Sequence, residues 1–484
     1  MFRSLSRRSF LAHSLAALGV GVLAACRPAA TPAPTEAAAA PEKEKEVPPT
    51  AVPEPEAELP AAIEPTGIQW GLAYDPHVEA YERLANLFEE QTGSKLEVQP
   101  MPGGELLPKL TANVAAGTPP DLVCIMGKNS MPLYLQQMLV PLRDSVYDIK
   151  GFDPEKDFIA ADAWQQYTWD GEIYGVPTEF NRVGSCVNVP TDDVRELGLE
   201  ELYPPTNGEI FFESFEDMWQ LASELQIEES DGTVARWGLS SQGWEDTQYL
   251  GILRTLLEPK GMEWWDSDNK QFNVNTEEGV RAMELQVQRA VDLGIETKLT
   301  ENSVNAALAG KVALARGNRT PTTTGRDVGL VYYLAGCPKI DGREPLFIGE
   351  GGWGFVAPTR SASPNLALEY LRMLLTDEAQ IEYSKIYNGS PPPVKSLVDS
   401  REYYKDPSDE SPNVIVGNML VYHLGPRTVY YGEGFGYSSE ISGIFGEGCD
   451  LVRVGDMSPE EACEHMQSRL EMQRQEFVDE WGEV

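Results

Sequence analysis

Histidine and cysteine are scarce in this 484-residue chain, at four and six residues. That scarcity removes several chemistries at the outset. No CxxC pair and no His/Cys spacing of a zinc site occurs. Beyond residue 26 the only histidines are His77, His423 and His465, and they are not at metal-ligand spacing. A nucleophile elbow and a phosphate-binding glycine loop are also missing. No metal and no cofactor is therefore expected. Basic residues are few: 38 Lys and Arg stand against 76 Asp and Glu, a formal charge of −38. A surface of that sign repels nucleic acid and anionic headgroups, so no nucleic-acid partner is expected. Uncharged runs are short as well. Residues 9–25 are too few, and too rich in Ala and Gly, for a membrane span.

What is present begins at the amino terminus. Arg3, Arg7 and Arg8 precede that uncharged run. Ser6-Arg7-Arg8-Ser9-Phe10-Leu11 resembles a twin-arginine export motif, and Leu23-Ala24-Ala25-Cys26 resembles a bacterial lipobox. The resemblance implies that residues 1–26 are an export signal and that Cys26 becomes a lipidated first residue. A plain secretory peptide with a chance cysteine is the alternative. Residues 27–65 are Pro, Ala, Glu and Thr without an aromatic. Such a stretch cannot bury enough apolar surface to offset its ordering entropy. It reads as a disordered tether.

From residue 66 onward, strand and helix patterns alternate. Residues 68–70 read as a strand, and a helix follows to Thr92 with Tyr81, Leu84 and Phe88 on one face and Gly93 as its stop. A half-buried strand (95–98), a helix ended by Gly117 and a buried strand (122–126) come next. This alternation argues for an α/β fold with a doubly wound sheet. Ligands of such sheets bind at the carboxyl ends of strands, which points to Tyr74-Asp75 and Lys128-Asn129. Residues 169–188 then hold two apolar runs around the polar patch Thr178-Glu179-Phe180-Asn181-Arg182. They read as a crossing between two lobes, or as a hairpin with a wet face. Ser214 opens a helix with Met218, Leu221 and Leu225 inward, and residues 276–293 form a long helix ended by Gly294. The glycine-rich segment Gly349-Glu350-Gly351-Gly352-Trp353-Gly354 reads as a second crossing or a strand bulge. Residues 388–393 read as a third. Ser458-Pro459-Glu460-Glu461 opens the last clear helix. Residues 422–450, rich in Gly and Tyr, fit the pattern poorly; Tyr430, Tyr431 and Phe435 either border the cleft or pack a loop.

In order and spacing these segments resemble family 1 of the extracellular solute-binding proteins, the sugar-binding subunits of ABC importers related to maltose-binding protein. The matching pieces include residues 110–123, 140–144, 171–177, 214–225, 309–317, 366–380, 393–396 and 458–462. The resemblance implies a two-lobed periplasmic-binding-protein fold of type II, hinged by two or three crossing segments. Lobe one would be residues 66–180 plus 355–392, and lobe two 183–350 plus 393–484. It implies ligand contacts from Tyr74, Asp75, Lys128, Asn129, Glu179, Asn181, Asn318 and Arg319. Trp244, Asp246, Glu350 and Trp353 sit on further cleft-facing loops. The implied partners are a small-molecule sugar or oligosaccharide, an ABC permease, and the membrane through a lipid anchor at Cys26; the implied state is a monomer outside the cytoplasm.

Sugar chemistry suits those residue types. Aromatic rings cover the C–H faces of a sugar, and carboxylates, Asn and Arg hydrogen-bond its hydroxyl rim. Each tryptophan equally suits core packing. The rival readings are a glycan hydrolase using paired carboxylates and a surface sensor without transport.

Overall fold

The computed structural model describes residues 62–159, 161–179, 186–198, 209–210, 212–343, 345–349, 352–386, 392–400, 428–430 and 438–482. Eleven strands make the two main sheets. They are β1 (Thr66–Leu72), β2 (Lys95–Met101), β3 (Leu122–Met126), β4 (Gly175–Pro177), β5 (Cys186–Pro190) and β6 (Glu209–Ile210). Then come β7 (Ile227–Glu228), β8 (Val234–Ser240), β9 (Val312–Gly317), β10 (Tyr332–Gly336) and β11 (Trp353–Val356).

Among the described residues one sheet runs β2-β1-β3-β11-β4 and the other β6-β10-β5-β9-β8-β7. In the first sheet β2, β1 and β3 are parallel, while β11 runs antiparallel to both β3 and β4. In the second, β8 and β9 are parallel, and β5 lies antiparallel between β9 and β10. Each sheet has its own hydrophobic core. Two lobes follow directly, since an amphipathic layer must bury its apolar face against something and here does so twice.

Helix placement follows the sequence signals. Helix α1 (Asp75–Thr92) has Pro76 in its first turn and buries His77, Ala80, Tyr81, Leu84, Ala85 and Phe88. It stops where Gly93 takes a left-handed φ of 78° and its N–H reaches Glu89 O. Helix α2 (Gly103–Ala116) ends the same way at Gly117. In the second lobe α3 (Phe215–Leu225) starts at Ser214, whose hydroxyl accepts the Asp217 N–H at 3.1 Å. Helix α4 (Glu245–Leu257) follows β8. The long helical stretch after Thr276 is interrupted by a π turn at Glu284–Gln288 before Gly294 closes it.

The chain passes from sheet to sheet twice within the described residues. It leaves β4 in the first sheet and enters β5 in the second, and it leaves β10 and enters β11. On the second passage residues Phe347–Gly349 pair in parallel with Thr428–Tyr430. Helices α5 (Pro364–Leu374) and α6 (Asp377–Ile386) then cover the first sheet. The third expected crossing lies largely outside the described residues. Beyond it, Val394 bridges Phe158, and Val394 and Leu397 pack in the first core.

Two helices end the fold: α7 (Ser438–Arg453) and α8 (Pro459–Trp481). Helix α7 departs from the sequence expectation, which saw no regular element before residue 450. Its glycines Gly443, Gly446 and Gly448 disfavour a helix. Packing overrides them, since Ile441, Ile444, Phe445, Cys449 and Val452 are all buried. Gly448 is required there: a Cβ would lie 2.5 Å from Met466 Sδ on α8. Helix α8 opens on a complete capping box between Ser458 and Glu461. Its Ala462, Cys463, Met466 and Leu470 sit in the second core, whereas Phe477 packs with Met131 and Trp169 of the first lobe.

Candidate functional site

The ends of the strands bring one set of loops together. β1, β3 and β4 point the same way, so Tyr74-Asp75, Lys128-Asn129 and Thr178-Glu179 all leave one edge of the first sheet. Trp353 begins the antiparallel β11 at that edge, opposite Met126. In the second sheet the parallel pair β8 and β9 ends in Gln242-Gly243-Trp244 and Asn318-Arg319. The loops of the two sheets meet at Glu179 and Arg319.

Glu179 is fully buried. Its Oε1 accepts the Trp353 N–H at 3.1 Å, and its Oε2 lies 3.8 Å from Arg319 Nη2. Arg319 is only 6% exposed, so this pair links the lobes away from bulk water, where charges interact strongly. Gly352 makes the approach possible: its φ is +80°, and a Cβ would come 2.6 Å from Glu179 Cγ. The Trp353 carbonyl in turn accepts Thr178 N–H at 3.0 Å and Thr178 Oγ1–H at 3.2 Å.

His77 lies behind Trp353. Their ring centroids are 4.9 Å apart in an edge arrangement; Tyr74 approaches His77 edge-on at 5.7 Å, and Tyr81 stacks at 5.8 Å. Burial, with the Arg319 charge second, lowers the His77 pKa to about 3. The imidazole is therefore neutral at physiological pH and adds no charge beside Arg319. Nothing in its sequence context distinguished His77 beyond its place at the start of α1.

The Arg319 loop is held from below by Asn188, which interrupts the valines of β5. Its Nδ2 donates to Asn318 O at 2.8 Å, and its Oδ1 accepts the Thr322 hydroxyl at 2.9 Å. Asn188 is fully buried, and a lone Asn between two strand valines was the available signal for it. The Asn318 side chain accepts the Thr320 N–H at 3.0 Å. The half-buried Trp244 ring lies against Gly317, where a Cβ would be 2.8 Å from the indole.

The remaining expected residues separate. Asp75 is exposed in the first turn of α1, and Lys128 and Asn129 are half-buried in the turn Gly127–Asn129. Asp246 is buried and accepts the Ser442 hydroxyl of α7 at 2.7 Å, so it braces α4 against α7. Asn181, Glu350, Cys26, Tyr431 and Phe435 lie outside the described residues, and Tyr430 belongs to the strand paired with Phe347–Gly349.

Beside Trp244, Glu245 joins a buried ionic cluster. The Arg453 guanidinium lies 3.1 Å from Glu296, 2.5 Å from Asp450 and 3.4 Å from Glu245. Glu245 Oε2 also accepts the Gly243 N–H at 2.7 Å. Burial raises the Glu245 pKa to about 7, against the opposing pull of Arg453 and the Gly243 N–H. No group of three or more His, Cys, Asp or Glu among the described residues is arranged to hold a metal ion.

A sequence profile of the bacterial extracellular solute-binding proteins matches residues 83–409. No curated protein matches the chain. Solved structures share its fold. An ABC transporter solute-binding protein from Thermotoga lettingae, bound with alpha-D-tagatose, superposes with a TM-score of 0.67 at 18% identity, over 85% of this chain and 100% of that one. The GacH receptor of Streptomyces glaucescens, solved unliganded and with acarbose, gives 0.64 at 18% identity, over 85% and 98%. The maltose/maltodextrin-binding domain MalE of Bdellovibrio bacteriovorus, bound to maltotriose, gives 0.62 at 16% identity, over 85% and 100%.

Proposed function

This chain belongs to the bacterial extracellular solute-binding protein family, and from that premise we propose that it is the substrate-binding subunit of an ABC importer for a sugar or oligosaccharide. The ligand lies where the loops of the two sheets converge, and hinge closure is the signal passed to a membrane permease. The carrying observation is the meeting of Glu179 and Trp353 from one lobe with Arg319 from the other. A guest touching both sides gains contacts only when the lobes close on it. Trp353, Trp244 and Tyr74 supply aromatic surface there, and Asp75, Lys128, Asn129 and Arg319 supply polar groups. Tagatose, acarbose and maltotriose in the neighbours support a carbohydrate. The residues at the leader support export by a twin-arginine signal and a lipid on Cys26, with the domain acting as a monomer.

Hydrolysis is the weaker reading. Glu179 accepts an N–H and faces a guanidinium, which suits an anion rather than a proton donor to a leaving group. Asp246, the other expected carboxylate, is engaged by Ser442. The test is a thermal-shift screen with D-tagatose, maltotriose, maltotetraose and acarbose, with product analysis of each mixture. At one hundred times Kd a saccharide bound only by the folded form adds about 2.7 kcal/mol, so a clear rise in melting point is expected and the sugar is recovered intact. No rise with any neutral saccharide, or consumption of one, sinks the proposal.

A further inference from the structure

The last two turns of α8 leave the lobe in which the helix is rooted. Ala462, Cys463, Met466 and Leu470 are buried in the second core, and Gln467 Oε1 accepts the N–H groups of Val274 and Asn275 at 3.1 and 3.0 Å. Phe477, seven residues beyond Leu470, is fully buried against Met131 (2% exposed) and Trp169 (7%) of the first lobe, with Tyr134, Leu135, Tyr174 and Trp481 at the margin.

That patch is built directly behind the candidate ligand loop. Met131 and Tyr134 belong to the short helix Ser130–Leu135, which follows the turn carrying Lys128 and Asn129. Tyr134 stacks on Trp169 at 5.9 Å, and Trp169 Nε1 donates to Ser130 Oγ at 2.9 Å. Ser130 Oγ donates to Gln166 O at 2.5 Å. The same Gln166 side chain closes over Gly127, where a Cβ would be 2.6 Å away. Gly127 N–H donates to Gly352 O at 3.1 Å, beside Trp353. A continuous run of packed and hydrogen-bonded groups thus joins Phe477 to both loops.

We propose that Phe477 and Trp481 are positioning residues for the Lys128-Asn129 loop and the Gly352-Trp353 turn, supplied to the first lobe by a helix anchored in the second. The helix end holds these loops and the lobe separation in register with the Glu179–Arg319 contact. This rests on the ligand site proposed above. Movement of the lobes must slide or break an apolar contact that no ligand touches, so the contact sets part of the balance between states.

The test uses Phe477→Ala, Phe477→Leu and Trp481→Ala in the full chain. Spin labels at Glu90→Cys and Asp268→Cys, in a Cys26→Ser and Cys337→Ser background, report the distance between the lobes without ligand. Phe477→Ala is expected to shift or broaden that distance distribution and to weaken maltotriose binding roughly tenfold, whereas Phe477→Leu retains both. If Phe477→Ala does not fold, Trp481→Ala at the patch margin is expected to change both readouts in the same direction. An unchanged distribution in a folded Ala variant overturns the proposal, as does equal loss in the Leu and Ala variants tracking melting temperature alone. Should maltotriose fail to bind the parent protein, the ligand reading is in question, and the ligand-free distances still decide this one.

Discussion

Protonation of Glu245 is coupled to folding, because its carboxyl is buried beside a guanidinium already shared with Glu296 and Asp450. Its folded pKa of about 7 lies above the ordinary value of 4.5. The native state therefore holds a proton that the unfolded chain has released over that range, and stability from this group falls as pH rises. Below about 4.5 its stabilising contribution is complete, and by about 7 it is gone. Glu245→Gln keeps a neutral side chain of the same shape at every pH. Melting curves are expected to show the variant more stable than the parent at pH 8, on the order of 2–3 kcal/mol, and little different at pH 4. An unaltered pH profile in the variant refutes this account. The same carboxyl fixes Gly243 next to Trp244, so the loop at the end of β8 shares that titration. Such pairings are invisible in a sequence. Glu179 and Arg319 are 140 positions apart, and only the strand-end rule pointed to both. His77 looked inert because its chemistry is packing against Trp353 rather than metal binding.

The glycines of α7 give a contrast at the scale of the element. Gly443 faces open space, whereas a Cβ at Gly448 would meet Met466, a fully buried side chain. Gly443→Ala is expected to stabilise by about 0.5–1 kcal/mol through helix propensity. Gly448→Ala is expected to destabilise, since α8 must move away. Denaturant titration of both variants checks the opposite signs, and a shared sign refutes the packing argument. This helix also shows why some elements were unreadable. Helices α1, α2 and α3 carried local signals: apolar stripes, a Ser cap, and glycines that now show positive φ at Gly93 and Gly117. In α7 local propensity opposed the helix, and burial against α8 decided the matter. The crossing β10 to β11 was legible through its glycines, because only Gly352 can stand over Glu179.

Charge acts on the whole molecule. A formal charge of −38 on 484 residues means that folding concentrates like charges that the unfolded chain keeps apart. Raising sodium chloride from 20 mM to 0.5 M shortens the Debye length several-fold. The melting temperature of the ligand-free protein is expected to rise over that series, and a steady fall would show that surface ion pairs outweigh the repulsion. Among the described residues no helix is long and apolar enough to cross a membrane. The folded part begins at a defined join. Glu64 accepts the Leu366 N–H at 2.8 Å and the Asn365 side chain at 3.0 Å, which fastens the start of the domain to α5. Two residues later β1 enters the sheet between β2 and β3. Any pull arriving along the preceding residues is thus loaded in shear, with both neighbouring ladders resisting at once rather than opening rung by rung. A domain leashed at that end has its tow point where the architecture is mechanically hardest to unzip.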